Sequence, residues 1–346
     1  MEWFSGDTRV PNSVLAVAGG VAGIVALRAA ARVADELGVF HAQDSKPRGL
    51  RVVITGGSRG IGYALATRFA EMGDHVCIVG RDAAALERAV ASSKDELSAV
   101  KADVTDAEDV THMMVQCKIA LGGEIDVVVH NAGAGQRENV DLPETPVADI
   151  STVVRTNTLG TLLVAREAIN TMRAQENGGH LFLMDGAGAT GMATPTFASY
   201  GFTKAGTPQL LSSLRRECKG TGVVIHGLSP GMVMTSLLLK SPTRGGLWMF
   251  NVLADMPSTV ADWMVPRIRG ASALPVRRGS EAKAATYRKF LTPTTAVLRF
   301  LGVPLGLSTN RLVDVDTGVV KAPEVGTPAT VTVRAAGAAA ASRKEE

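Results

Sequence analysis

Between residues 50 and 230 the chain alternates short β-branched runs with longer stretches whose apolar positions recur at helical spacing. The runs at 51–55, 75–79, 98–102, 126–130, 180–184 and 223–227 read as strands. The stretches at 62–72 and 107–121 read as helices. Six strands alternating with helices predict an α/β fold built on a doubly wound parallel sheet. After about Pro230 the alternation loosens. Residues 232–310 look helical and loop-rich and carry Trp248, Phe250, Trp263, Phe290 and Phe300. They predict a helical C-terminal lid. From about Lys321 the chain is rich in Ala, Gly, Pro and Thr and ends SRKEE. Such a composition lacks the apolar content of a core and predicts disorder over 321–346. The expected division is a prefix at 1–48, one domain at 49–320 and a tail.

The prefix holds an uncharged, mostly apolar run, VLAVAGGVAGIVAL, at 14–27. At 1.5 Å per residue it covers about 21 Å, short of the roughly 30 Å hydrocarbon core. A helix that docks or lies at a membrane interface, a span borrowing weaker flanks and a packed core helix all remain open. Glu2 and Asp7 precede the run, with Arg9 the basic residue nearest to it. A secretory signal therefore reads poorly, and no Ser/Arg-rich transit peptide stands out. Composition adds little against a globular enzyme: 46% hydrophobic, 20% charged, and a net charge of +3. So small an excess of positive charge gives no reason to expect a nucleic-acid partner. Cys77, Cys117 and Cys218 are widely spaced and form no CxxC pair, so reduced thiols are expected, with neither a disulfide framework nor a metal site.

The chemistry begins at the first strand. TGGSRGIG, residues 55–62, directly follows it and opens a helix. Gly56, Gly60 and Gly62 allow the tight turn and close backbone approach that a pyrophosphate needs, and the helix start supplies N–H groups. That context makes this a Rossmann-type dinucleotide loop. An NAD enzyme usually ends its second strand with an acidic residue for the ribose diol. Here Arg81 stands near that place, followed by Asp82, and Arg59 lies inside the glycine loop. Two guanidiniums suit a 2′-phosphate, so NADPH is expected.

Further motifs follow in order: Asp103-Val104, Asn131-Ala132-Gly133, Asn157, Tyr200-x-x-x-Lys204 and Pro230-Gly231. On a helix, residues four apart share a face. A lysine ammonium beside a phenol would lower its pKa and let Tyr200 donate a proton to a carbonyl as hydride arrives. TGGSRGIG, NAG, YGFTK and SPG, in this order and spacing over about 50–235, resemble the short-chain dehydrogenase/reductase family. The resemblance implies that Ser58, Arg59 and Ile61 belong to the cofactor loop with its glycines. It implies that Asp103 and Val104 meet adenine and that Asn131, Ala132 and Gly133 line the cleft. It further implies that Pro230, Gly231, Val233 and Thr235 shape the nicotinamide pocket, that Lys204 binds the nicotinamide ribose and that Asn157 holds a relay water.

The family's catalytic serine is absent. The region reads LMDGAGAT, with Gly186 at the best-aligned position and Thr190 the nearest hydroxyl. Thr190 substituting, backbone N–H groups of 185–188 polarising the carbonyl, and a substrate rigid enough to need neither are the three options. MDGAG, SPGMVMTSLLL, MFNVLADMPSTVADWMVPRIR and YRKFLTP resemble the chlorophyll b reductases of plants and green algae, extending the likeness to about 50–300. This implies reduction of the C7 formyl group of chlorophyll b or chlorophyllide b, in the chloroplast, on the stromal side of the thylakoid membrane. It implies peripheral membrane contact and, as partners, a light-harvesting complex, a second copy or a related reductase subunit. Met232, Met234, Leu237 to Leu239, Trp248, Met249, Phe250, Met256, Trp263 and Met264 would suit a wide apolar pocket, or be core. His130 and His226 read as packing residues more than as ligands. A reductase of a lipid-like ketone and a non-catalytic cofactor-binding partner are the competing readings.

Overall fold

The computed structural model describes residues 49–240, 242–273, 279, 281–325 and 327–333. The apolar run at 14–27 and the last residues of the tail lie outside them. Seven strands form one parallel sheet in the order β3-β2-β1-β4-β5-β6-β7. They are β1 Arg51–Thr55, β2 His75–Gly80, β3 Leu97–Lys101, β4 Val127–His130, β5 Gly179–Met184, β6 Val223–Ser229 and β7 Tyr287–Lys289. Six match the expected strands to within a residue or two. β4, β5 and β6 are buried along their whole length, as strands covered on both faces must be.

Alternation along the strands sorts the core into two layers. Val52 and Ile54 point to one face, where α1 (Gly60–Glu71) packs with Leu65 and Phe69. Val53 points to the other, toward α3 (Ala107–Ala120), α5 (Gly160–Arg173) and α6 (Ala198–Glu217). Between β2 and β3 runs α2 (Ala83–Ser92). A short α4 (Val147–Val154) leads through a π-helical turn, Arg155–Leu159, into α5.

The region after Pro230 departs from the expected lid. It contains α7 (Arg244–Leu253), α8 (Pro257–Ala271), α9 (Glu281–Ala284), β7 and α10 (Pro293–Leu301). α8 is a layer helix: Val260, Trp263, Met264 and Ile268 are buried in the same core as α1 and β1. Trp263 and Met264 are therefore core rather than pocket. Met234, Leu239, Leu247, Ala254, Leu312, Val313, Val320 and Val331 make a third, smaller core. Over the described residues of the tail, 321–325 and 327–333, the chain is folded rather than disordered, and 334–346 lie outside the described residues. Val313 pairs with Val320, and Val319 with Thr330, as antiparallel bridges. Thr327 donates to the Met234 carbonyl at 2.7 Å. A few buried valines and backbone pairing suffice to fold the tail as far as Val333. Among the described residues no helix is long and apolar enough to cross a membrane.

Candidate active site

The strand order reverses between β1 and β4, and the residues of interest follow the carboxyl ends of β1, β4, β5 and β6, where a doubly wound sheet places its ligand cleft. At β1, Thr55 is fully buried and its Oγ1 accepts from the amides of Asn131 (3.2 Å) and Ala132 (3.1 Å). Asn131 Nδ2 donates back to the carbonyls of Thr55 and Gly56, each at 3.2 Å. The ends of β1 and β4 are thus laced together. Gly56 has φ +67°, and a Cβ on Gly62 would sit 2.2 Å from the Gly56 oxygen. Only glycines close this turn. A Cβ on Gly60 would lie 3.1 Å from Thr235 Cγ2, so the 230–235 segment faces the glycine loop. Val233 bridges to Asp255, Gly231 has φ +72°, and Pro230 is buried behind it. Gly60 N–H donates to the Val325 carbonyl at 2.9 Å, so the folded tail reaches the start of α1.

Two arginines stand in the glycine loop and just after β2. Arg59 is exposed and Ser58 half-buried. Arg81 Nη1 lies 3.7 Å from Asp103 Oδ2. Asp103 is partly buried, yet the Thr105 N–H and then Arg81 hold its carboxyl below the usual range. Val104 is buried against Gly160. Asp82, the acidic residue that follows Arg81, caps α2 by accepting from the Ala85 amide at 3.0 Å. Its carboxylate is engaged by a helix start. A tight glycine turn, a helix N-terminus and two nearby guanidiniums fit a nicotinamide dinucleotide.

At β4 and the π-helical turn, Asn157 is buried. Its Oδ1 accepts from the Ala134 amide at 2.7 Å, and its Nδ2 donates to the Ala134 carbonyl and to Thr203 Oγ1. Its side chain is a staple between the cleft and α6. Its carbonyl accepts from Thr161 Oγ1 at 2.6 Å. Single π turns inside helices concentrate at functional sites.

Tyr200 and Lys204 come together as expected, each only 7% exposed, with Lys204 Nζ 5.7 Å from the Tyr200 ring centroid. Lys204 Nζ donates to the Met184 carbonyl at 3.1 Å and lies 3.9 Å from the place of a Gly133 Cβ. Burial pulls the lysine down to about 8, with Asp185 opposing. The phenol differs from expectation: burial, and then the charge of Asp185, push it up rather than down. Tyr200 is therefore held as the protonated acid at neutral pH, the form that reduction of a carbonyl uses.

Gly186 faces this pair directly. A Cβ there would lie 2.3 Å from Tyr200 Oη and 3.1 Å from its Cζ. The tyrosine ring is buried and stacked on Phe197 at 4.5 Å, so it has little room to give. A serine at this position does not fit with Tyr200 where it stands. Gly186→Ser should displace the hydroxyl and lower kcat at least about tenfold, a loss of about 1.4 kcal/mol of transition-state stabilisation; unchanged kcat in steady-state assays would contradict this. Thr190 is exposed on the turn that follows, and no hydrogen bond of the described residues joins it to Tyr200 or Lys204.

Apart from Leu237, which the sequence offered as an apolar pocket residue, several site residues had no sequence signal. Phe197 and Leu237 both crowd Gly135 beside Tyr200, making an apolar wall. Gln136 is buried, accepts from Ser199 Oγ at 2.7 Å and donates to the Thr196 carbonyl at 2.9 Å. Lys240 Nζ donates to the Gly135 and Gln136 carbonyls. Asp185 is buried and accepts from the Tyr287 hydroxyl. The histidines are packing groups: His130 bridges Thr55 and Thr161, and His226 bridges His180 and Thr286. Burial, and then Lys204, lower His130 to about 3, which keeps it neutral.

The profile of the short chain dehydrogenase family matches residues 51–244. The chain is 41% identical over 271 residues to "Chlorophyll(ide) b reductase NOL, chloroplastic" of Arabidopsis thaliana, covering 76% of each chain. It is 38% identical over 275 residues to the NOL protein of Oryza sativa subsp. japonica, covering 77% of this chain and 78% of the other. Among solved structures it resembles gox2181, with a TM-score of 0.61 at 21% identity, over 72% of this chain and 98% of that one. That likeness bears on the fold alone. Strand order, glycine loop and the Tyr200–Lys204 pair agree with the family match over more than half the chain: this protein is an oxidoreductase that belongs to the short-chain dehydrogenase family.

Proposed function

We propose that the protein is a chlorophyll(ide) b reductase that converts the C7 formyl group of chlorophyll b to a hydroxymethyl group, with NADPH as reductant. The observation that carries this reading is the 41% identity over 271 residues. That span is longer than residues 51–244, so the likeness includes sequence outside the part shared by the whole family. The family binds NAD(P)H, which supplies hydride to the formyl carbon when bound. Tyr200 donates its proton to the formyl oxygen as the alkoxide forms. Lys204 keeps a positive charge beside the ribose and the phenol. Asn157 fixes the 133–134 backbone against α6, which sets the cleft width. Phe197 and Leu237 supply apolar surface for a flat macrocycle, and backbone N–H groups of 185–188 or Thr190 polarise the formyl oxygen. Thr190→Val lowers kcat only in the second case.

NADPH rather than NADH follows from Arg59 and Arg81 and from the capping role of Asp82. Arg81→Ala should raise KM for NADPH about tenfold or more, the loss of one charge-assisted bond of about 1.5–3 kcal/mol, and leave KM for NADH nearly unchanged. Comparing kcat/KM for the two coenzymes checks it, and a parent enzyme that prefers NADH contradicts it. The relatives' names place them in the chloroplast. We place this chain there too, on the stromal side of the thylakoid, in peripheral contact with the membrane or a light-harvesting complex, as a homo-oligomer or with a related reductase subunit. Exposed Val297, Leu301, Leu305 and Leu307 support such contact. Incubation of purified protein with NADPH and chlorophyll b, followed by pigment separation, tests the reading. Appearance of 7-hydroxymethyl chlorophyll a supports it; unchanged pigment with turnover of a lipid ketone, or cofactor binding with no turnover at all, overturns it.

A further inference from the structure

Three consecutive residues at the end of β5 meet the proton-delivering pair. The Met184 carbonyl accepts from Lys204 Nζ, and the Tyr200 hydroxyl lies 2.3 Å from the place of a Gly186 Cβ. Between them Asp185 brings a carboxyl group that is only 4% exposed. A buried carboxylate is costly unless something compensates it. Its Oδ2 accepts a hydrogen bond from Tyr287, a residue 102 positions away on the last strand. β7 is not adjacent to β5; β6 lies between them. Tyr287 reaches over because its partner in register on β6 is Gly227. A Cβ there would lie 2.3 Å from Tyr287 Cδ2 and 2.8 Å from Cε2. The glycine leaves the path by which the ring crosses one strand to meet the next. A three-residue edge strand thus delivers one hydroxyl into the site.

We infer that Asp185 and Tyr287 are a positioning pair for proton delivery: Asp185 supplies the buried negative charge that keeps Lys204 an ammonium and Tyr200 a protonated phenol, and Tyr287 holds that carboxylate in place. The inference rests on reading Tyr200 as the proton donor. The groups around Asp185 are Tyr200 and Lys204 on α6 and Tyr287 and Lys289 on β7, with His130 at the end of β4 facing Lys204. His130 is neutral, and Lys289 and Lys204 are the cations. Burial raises the carboxyl of Asp185, and its hydrogen bonds from Tyr287 and Ser229 and the charges of Lys204 and Lys289 oppose that rise. The carboxylate in turn raises both Tyr200 and Lys204. The signs agree. Both groups are needed in their protonated forms, both lose them as pH rises, and a nearby negative charge postpones both losses.

The test is the pH profile of kcat/KM for Asp185→Asn, Tyr287→Phe and the double variant. Asparagine preserves shape, so the thermal midpoint and NADPH binding serve as controls for folding. Asp185→Asn should move the basic limb down by about one pH unit, a tenfold change in proton affinity. Tyr287→Phe removes the donor that holds the carboxylate and should move the basic limb down in the same direction, by less than Asp185→Asn, because the charge remains but is no longer fixed beside the pair. The double variant should match Asp185→Asn alone, since the tyrosine acts only through the carboxylate. A parent-like basic limb in Asp185→Asn, or additive losses in the double variant, overturns the inference. If the parent does not turn over the pigment, the functional reading fails and the pair is tested without substrate. The chain has three tyrosines. In a Tyr287→Phe background the phenolate absorbance therefore reports Tyr63 and Tyr200, and Tyr200→Phe identifies which is which. Tyr200 should ionise at lower pH when Asp185→Asn is added; an unmoved titration overturns the pair.

Discussion

Tyr200→Phe lowers kcat by about 10²–10⁴-fold while NADPH still binds, the range that a positioned general acid contributes. The side chain sits at the carboxyl end of the sheet, buried on Phe197, with its hydroxyl against Gly186. Phenylalanine keeps the ring and its stacking and removes the proton. Folding and coenzyme affinity should therefore stay near the parent's, and the loss should fall on kcat rather than KM. Fluorescence titration of NADPH alongside steady-state kinetics separates the two. A variant with parental kcat would mean that another group or a water delivers the proton.

Arg269→Ala costs about 3–5 kcal/mol of folding stability, against a typical total of about 5–15 kcal/mol. Arg269 on α8 and Asp74, just before β2, are both 0% exposed in their side chains and meet at 2.6 Å. The guanidinium also donates to the Met72 carbonyl at 2.8 Å. Removing it takes the cation from a fully buried carboxylate, which also accepts from the Leu50 amide at 3.1 Å, so the cost of burying that charge is no longer balanced by its ion pair. Urea denaturation monitored by circular dichroism gives the change in midpoint. Replacing both partners, with Arg269→Met and Asp74→Leu, should recover most of the loss, because it removes both charges together. Equal destabilisation by the single and the double replacement would contradict this account.

The sheet was legible because parallel strands covered on both faces must be continuous apolar runs, as VVVH at 127–130 shows. The cofactor loop was legible because tight turns admit only glycine. β7 was not: Tyr-Arg-Lys has no apolar run, and its strand character comes from pairing with β6. The tail misled because its composition hides Val331, which is buried with Val313 and Val320 from the preceding segment, and because Thr330 pairs with Val319. α8 was read as lid because a helix against α1 and one over a cleft have the same periodicity; only its partner distinguishes them. Within the site, Tyr200 and Lys204 were read from their spacing, and Asn157 from the family resemblance. Asp185 was not, since its role depends on Tyr287, which the fold brings beside it from far along the chain.

The central claim is direct transfer of hydride from NADPH to the formyl carbon, with the proton from Tyr200. NADPH carrying deuterium at the transferred position of C4 tests it directly. The account predicts 7-hydroxymethyl chlorophyll a one mass unit heavier, with the label on the new CH–OH carbon and none formed by Tyr200→Phe at comparable enzyme concentration. Unlabelled product, or a Tyr200→Phe variant as fast as the parent, would contradict it.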